Sequence, residues 1–421
     1  LRFTSAEAAV FFNQVMGLDL SVEDIVALET RTEGWIAGLQ LAALALQGTI
    51  SMQRRQDNTS FIQSFTGGHH FVLDYLVEEV LKQQPESVQT FMLQTAILER
   101  LSGSLCDAVT GQDNSRSTLE MLERANLFII PLDEERRWYR YHHLFADLLR
   151  QRLYQKLGPS RDEQGVVAEL HVRASEWYYE NDYQADAFHH ATAAEDFERA
   201  AELVELAWPS MNGTFQSATW LGWARALPDA LIRVRPVLSV AYAEALNDCG
   251  EAPEAIELRL RDAERSLSAM EDMNTQQSDN LSDEMVVVDK AQLRILPTKI
   301  AIIRSDNAQA QGDVAGTVKY AELALELAPE DCYLERAQAT VNFGLIHWGT
   351  GNLEIARRAM AEWINSMHKV GNLFYAIAST FPLAEIMVAQ GRLQDAVRVY
   401  KEALQLASEQ DEHIQRITAH L

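Results

Sequence analysis

The residues best suited to chemistry lie in one run, Trp138-Tyr-Arg-Tyr-His-His-Leu-Phe145. It sets an imidazole where one periodicity gives way to another. Before it, Leu127-Phe-Ile-Ile-Pro-Leu132 is β-branched and aromatic-rich and reads as a strand. Asp133 to Arg136 then supplies a polar turn, and Arg137 to Tyr141 a second strand. In that second strand Trp138, Arg140 and His142 share one face, Tyr139 and Tyr141 the other. From Leu144 onward, Leu144, Phe145, Leu148, Leu149 and Leu153 recur at helical spacing, with Arg150, Gln151 and Arg152 on the wet side. His142 therefore falls at a strand–helix junction, where an imidazole and free backbone N–H groups can point together at an anion. The plainer alternative is a capping or buried histidine.

The longer run Trp-Tyr-Arg-Tyr-His-His-Leu-Phe-Ala-Asp-Leu-Leu-Arg resembles the signature of the MalT-type regulators, the large ATP-binding members of the LuxR family. These belong to the signal-transducing NTPases with numerous domains. In that class a winged-helix domain carries a Met-His-Asp-like motif whose histidine reaches the β-phosphate of bound ADP. Position by position, Tyr141 takes the Met place, His142 the His place and His143 the Asp place. The resemblance thus implies His142 as a cofactor-binding residue for ATP/ADP, held mainly by a domain upstream. A role tied to the acidic residue does not carry over to His143. A second anchor is Gly38-Leu-Gln-Leu-Ala42, similar to the Gly-Leu-Pro-Leu-Ala element of the helical domain beside the nucleotide, with Gln40 in place of the proline.

No other constellation rises to chemistry. The doublets His69–His70, His142–His143 and His189–His190 place neighbouring rings about 100° apart on a helix, a poor metal clamp without further ligands. There is no His-Glu-x-x-His, Cys-x-x-Cys or Gly-x-Ser-x-Gly, and no Gly-x-x-x-x-Gly-Lys-Ser/Thr phosphate loop. No catalytic residue and no metal site is expected, and ATP turnover is not expected of this chain alone. Trp220, Trp223, Trp348 and Trp363 read first as packing between helices, with a ligand groove as the alternative.

Partners follow from charge. The 421 residues carry a formal net charge of −25, with a pI near 4.8. A broad grip on nucleic acid or an anionic membrane needs clustered Lys and Arg, so neither is expected. Cys106, Cys249 and Cys332 are odd in number and far apart, which fits a reducing cytoplasm rather than a disulfide framework. No apolar run reaches the length of a membrane span. The opening Leu1-Arg-Phe-Thr reads as the middle of a longer chain.

The elements that must position His142 can be read in order. Thr4 and Glu7 form a capping box for a first helix that Gly17 stops, and Ser21 caps a second running to about Glu29. Thr32 to Leu44 is apolar on nearly every side, a buried helix. Ile50 to Asn58 reads as a loop. Phe71 to Leu81 and Val88 to Leu101 read as amphipathic helices divided by Pro85, with shorter helices at Leu105 to Val109 and Thr118 to Ala125. With the hairpin these make a winged helix, but its third helix carries two glutamates and one arginine, which phosphate would repel.

Past Leu157 the chain becomes helical and repetitive. Gly312-Asp-Val, Gly351-Asn-Leu and Gly391-Arg-Leu are 39 and 40 residues apart, a helix-turn-helix period slightly longer than a tetratricopeptide. Small residues follow at Ala321 and Ala324, Ala356 and Ala359, Ala396 and Ala403, with partner helices at Leu334 to Trp348 and Phe374 to Ala389. Earlier, more degenerate pairs are Leu170–Tyr179 with Ala185–Ala194, Phe197–Ala207 with Ala218–Ala226, and Val237–Cys249 with Ala255–Leu267. Ala185 to Ala201 resembles the opening of the MalT-type sensor domain, and Glu271 to Asp283 reads as polar and mobile.

The expected fold is mostly α: a helical domain over 1–60, a winged helix over 61–157, and an α-superhelical tetratricopeptide-like array over 158–421. The resemblance implies the regulatory and sensor part of a cytoplasmic, ATP-dependent transcriptional activator. Its array would take a small-molecule inducer or a regulatory protein, and its active state would self-associate. The alternative is a tetratricopeptide scaffold for protein partners without nucleotide control. Given the charge and the acidic third helix, the chain is expected not to retard duplex DNA at physiological salt. Sequence-selective retention in that buffer would contradict a purely regulatory winged helix.

Overall fold

A computed structural model describes residues 3–36, 38–40, 42, 43, 46, 81–125, 127–157, 161–276 and 290–409. The expected loop at 50–58, helix 71–81 (Leu81 apart) and His69–His70 lie outside them. Two compact units are present, Leu1–Asp196 and Phe197–Leu421.

In the first unit, α1 (Ser5–Ala9) opens on the expected capping box. The Thr4 hydroxyl accepts from the Glu7 N–H, and the Glu7 carboxylate accepts from the Thr4 N–H at 2.9 Å. The helix widens into a π-helical turn over Val10–Val15. Helix α2 (Val22–Thr32), capped by Ser21, runs three residues past the expected end and stops at Glu33, whose φ of 49° is left-handed. Beyond it Leu39, Ala42, Ala43 and Leu46 are fully buried, as the all-round apolar pattern requires.

The winged helix follows. Helices α3 (Glu86–Thr95), α4 (Gly103–Thr110) and α5 (Ser115–Arg124) precede an antiparallel hairpin of β1 (Ile129–Pro131) and β2 (Tyr139–Tyr141), paired Ile129 with Tyr141 and Pro131 with Tyr139. The expected helix to Leu101 ends at Thr95 instead. Leu101 exchanges backbone hydrogen bonds of 2.7 and 2.8 Å with Tyr139, adding a bridge to the hairpin's edge. Pairing with a distant strand thus outweighs local helix propensity. The turn closes as expected, with the Asp133 carboxylate accepting the Arg137 and Trp138 N–H groups. Tyr139 and Tyr141 point into the core, and the Tyr141 hydroxyl meets the Thr95 hydroxyl at 2.7 Å.

Helix α6 (His143–Leu157) buries Leu144, Phe145, Leu148, Leu149 and Leu153. Arg150, Gln151 and Arg152 are only half-exposed, because the apolar stems of such side chains cover neighbouring surface. Arg150 also donates to the Ala96 carbonyl at 3.0 Å. Helices α7 (Arg161–Glu180) and α8 (Gln184–Ala193) belong to this unit. Arg100 fastens them: its guanidinium lies 4.7 Å from the Trp138 ring and 4.5 Å from the Tyr183 ring, and donates to Asp186 at 2.8 Å.

The second unit is a helical array. Its described helices are α9 (Phe197–Gly213), α10 (Ser217–Arg225), α11 (Asp229–Arg233), α12 (Pro236–Asp248), α13 (Pro253–Gln276), α14 (Lys290–Ala310), α15 (Val314–Leu327), α16 (Tyr333–Gly349), α17 (Leu353–Lys369), α18 (Leu373–Ala378), α19 (Thr380–Ala389) and α20 (Leu393–Ser408). The repeat glycines Gly312, Gly351 and Gly391 all have positive φ, and the six alanines that follow them are buried. Gly344 shows why small residues sit there: a Cβ on it would fall 2.4 Å from the Ala359 Cβ on the facing helix. One expected helix is split at Ser379. Pro382 has no N–H to donate to the carbonyl of residue 378, so α18 and α19 separate. Residues 271–276, expected to be mobile, continue α13, and 277–283 lie outside the described residues. Helix α14, with Pro297 inside it, was not expected.

One buried pair in the first unit sets an acid limit. His171 on α7 and His190 on α8 share a hydrogen bond between their Nδ1 atoms, 2.7 Å apart. One ring must donate and the other accept, so at least one is neutral. Burial, with neighbouring His189 in support, pushes His171 down to about 4, and burial and His171 push His190 down to about 3. In the unfolded chain both take protons near 6.5. Stability is therefore complete above that value and falls as pH drops from 6.5 toward 4. Urea titrations at pH 7.5 and 5 should show a loss in the wild type that is smaller in the double variant His171→Phe/His190→Phe. Equal losses would contradict this assignment.

Candidate functional site

The backbone just before α6 brings His142 against the end of α2. The His142 N–H donates to the Phe128 carbonyl at 2.7 Å, and its own carbonyl accepts the first helical N–H groups, those of Phe145 and Ala146. The ring is buried. Its Nε2 lies 2.8 Å from the Thr32 carbonyl oxygen, 110 residues away in sequence. A carbonyl only accepts, so Nε2 carries the proton and a neutral ring leaves Nδ1 as a lone pair. That Nδ1 is buried and has no hydrogen-bond partner among the described residues.

Around the ring stand Trp35 and Phe128, with centroids 6.0 and 6.1 Å away and 4.8 Å from each other. Phe128 holds a φ of 56°, which an L-residue with a bulky side chain adopts at a cost of roughly 1–2 kcal/mol. Its ring is thereby placed against Trp35, His142 and Phe145.

Glu33 organises the charge. Arg140, beside His142 on the hairpin, donates to both its carboxylate oxygens, at 2.7 and 2.9 Å. Exposed His143 stands 3.3 Å from the same carboxylate. Burial works to raise the Glu33 carboxyl, but the Arg140 hydrogen bond and the charges of His142, Arg140 and His143 hold it below the ordinary 4.5. Burial likewise pushes the His142 imidazole below 6.5, with Glu33 and the Thr32 carbonyl pulling the other way. The left-handed turn that presents Glu33 continues through Gly34, φ 68°. A Cβ there would lie 2.3 Å from the Phe3 carbonyl oxygen, so only glycine fits.

Sequence reasoning found His142 and the face it shares with Arg140, but missed Glu33, Thr32 and Trp35. The pair Glu33-Gly34 at a helix end was a signal for the turn and carried none for its partner on the hairpin. Of the tryptophans considered, Trp220 is core, donating to the Val204 carbonyl at 2.7 Å. Trp363 instead lines a cavity with Trp208, which was not singled out. Among the described residues no group of three His, Cys, Asp or Glu is placed to hold a metal, and no helix is long and apolar enough to cross a membrane.

Comparison with known proteins agrees with these elements. Residues 77–161 match the MalT winged helix domain and residues 298–421 the MalT-like TPR region. The HTH-type transcriptional regulator MalT of Yersinia pestis is 29% identical over 421 residues, 100% of this chain and 43% of its own. The serine/threonine-protein kinase PknK of Mycobacterium tuberculosis is 37% identical over 248 residues, 58% of this chain and 21% of its own. The chain thus spans less than half the length of these relatives. Among solved structures, a Signal Transduction ATPase with Numerous Domains (STAND) protein with a tetratricopeptide repeat sensor, from Pyrococcus horikoshii, matches with a TM-score of 0.55 and 13% identity. That match covers 99% of this chain and 56% of the other, and shows a shared fold.

The Glu33 cluster yields a stability test. A carboxyl whose folded value is depressed contributes stability above its unfolded value, lost as pH falls through the folded one. Glu33→Gln should lower unfolding free energy at pH 7 by about 1.5–3 kcal/mol, the worth of hydrogen bonds to a charged group. The deficit should shrink below about pH 4, where the unfolded chain's carboxylate takes its proton. A deficit unchanged between pH 7 and pH 3 would contradict the ion-pair role.

Proposed function

We propose that this chain, with its MalT winged helix domain and MalT-like TPR region, is the regulatory and sensor portion of an ATP-dependent LuxR-family transcriptional activator. In this reading residues 1–60 flank an NTPase core that lies elsewhere, 61–157 are the winged helix that senses nucleotide, and 158–421 are the sensor array. The protein works in the cytoplasm, turns over no ATP through this portion and does not touch DNA with it. A small-molecule inducer or a regulatory protein on the array biases it toward a self-associating active form.

The observation that carries the reading is the orphaned, buried Nδ1 of His142 at the strand–helix junction. A polar atom buried without a partner costs about 1–3 kcal/mol, so its retention calls for an occasional partner. With Nε2 held by the Thr32 carbonyl, Nδ1 faces a phosphate oxygen as a donor only after the ring gains a second proton. A phosphate dianion favours that proton, so binding would charge the ring, and Arg140 would stay with Glu33. Glu33 also stands beside His143, supplying in space the carboxylate that the motif lacks in sequence. ADP bound this way holds a resting state, and inducer on the array shifts the balance toward the ATP form.

In the full-length protein, His142→Ala should weaken ADP by roughly ten- to a hundredfold, as expected for a lost hydrogen bond to a charged group, and ATP by much less. Inducer-independent activity should rise. Affinities for both nucleotides, measured beside the melting temperature, decide the matter. Equal losses for ADP and ATP with a lower melting temperature would leave His142 as packing alone.

A further inference from the structure

The second unit holds a half-open cavity of about 570 Å³, within the range of small-molecule sites. Trp208, Trp363 and Tyr375 give it aromatic walls, and Glu244, Asp248, Glu335 and Lys299 its charges. Phe215, just after α9, packs on Phe374 and Tyr375 at centroid distances of 4.3 and 5.3 Å. Early and late helices of the unit therefore meet and bound the space on that side, which suits a compact ligand better than a long peptide.

The charges do not balance. Glu244 accepts from the Trp208 indole at 2.9 Å and from Asn212 at 3.1 Å, and Lys299 stands 3.7 Å away. Asp248 lies one turn along the same helix and accepts from the Ser217 hydroxyl at 2.8 Å. No cation pairs with Asp248 among the described residues. Behind them Asp306 is hydrogen-bonded to Asn342, which also lines the cavity. Burial, then the negative charges of Glu244 and Asp248, push Asp306 up to about 7 against the Asn342 hydrogen bond. Burial and the same two carboxylates also raise the Tyr375 phenol. The cavity thus holds an excess of negative charge beside aromatic faces, and a single lysine already occupied by Glu244.

We propose that this cavity binds a small organic cation, an ammonium or guanidinium carried on an apolar body. Its charge lies at Asp248 and Glu244 and its body against Trp208, Trp363 and Tyr375. An anion would meet repulsion. A neutral polyol would hydrogen-bond to the carboxylates and leave their charge uncompensated, whereas a cation neutralises it and gains from the ring faces. The proposal names the ligand class for the sensor array and so rests on that reading.

The test titrates the 421-residue chain with 4-phenylbutylammonium, spermidine, the neutral isostere 4-phenylbutanol and sucrose, following heat and tryptophan fluorescence. At least one of the two ammonium compounds should bind, and 4-phenylbutanol at least tenfold more weakly than 4-phenylbutylammonium or not at all. Added salt should weaken binding. Asp248→Asn keeps an acceptor for Ser217 and should cost tenfold or more in ammonium affinity at an unchanged melting temperature, and Glu244→Gln provides a second variant. Equal or tighter binding of the alcohol or sucrose, no binding by either ammonium compound at millimolar concentration, or ammonium binding untouched by both variants would overturn the cation class. The sensor reading fails separately: in the full-length activator, Trp363→Ala that leaves induction intact would remove the array's role while saying nothing of which probes bind.

Discussion

The Thr32 carbonyl oxygen is the fixed point of the first unit. It accepts the Trp35 N–H at 2.8 Å and the His142 Nε2–H at 2.8 Å, so both lone pairs are spoken for. That double acceptance does three things at once. It follows the end of α2 with a turn that sets Glu33 against Arg140, it stands the Trp35 ring beside His142, and it fixes the tautomer of the imidazole. With Nε2 committed, Nδ1 becomes a buried acceptor without a donor among the described residues.

The second unit meets a different constraint. Small residues on facing helices let backbones approach, as at Gly344 and Ala359, and Ala321, Ala324, Ala356 and Ala396 are likewise buried. Close packing at the helix pairs coexists with an unfilled interior lined by carboxylates. Burial, and then the charges of Glu244 and Asp248, disfavour a charged Asp306, whose carboxyl is raised. Scattered around the outside, the same acids would cost nothing.

Much of this was legible in the sequence because it is local. The capping box at Thr4 and the N-cap at Ser21, the alternation that turned Tyr139 and Tyr141 inward, the helical period after Leu144 and the glycine-led repeats all depend on neighbours within a few residues. Non-local choices were not legible. Leu101 left its helix to pair with Tyr139, α18 and α19 parted at a proline whose effect depended on register, and Glu33 met Arg140 across 107 residues. The candidate site shows the same division. Motif and resemblance pointed to His142, whereas its orphaned nitrogen follows from a carbonyl that no spacing rule connects to it.

The central claim is that His142 is a neutral, Nε2-protonated ring that a phosphate recruits by charging it. Nitrogen-15 chemical shifts of selectively labelled histidine in the full-length protein, read at pH 7 with and without ADP and assigned by His142→Gln, measure this directly. The account predicts an Nε2–H tautomer without nucleotide and a doubly protonated ring with ADP bound. An Nδ1–H tautomer, or a ring unchanged by ADP, would contradict it.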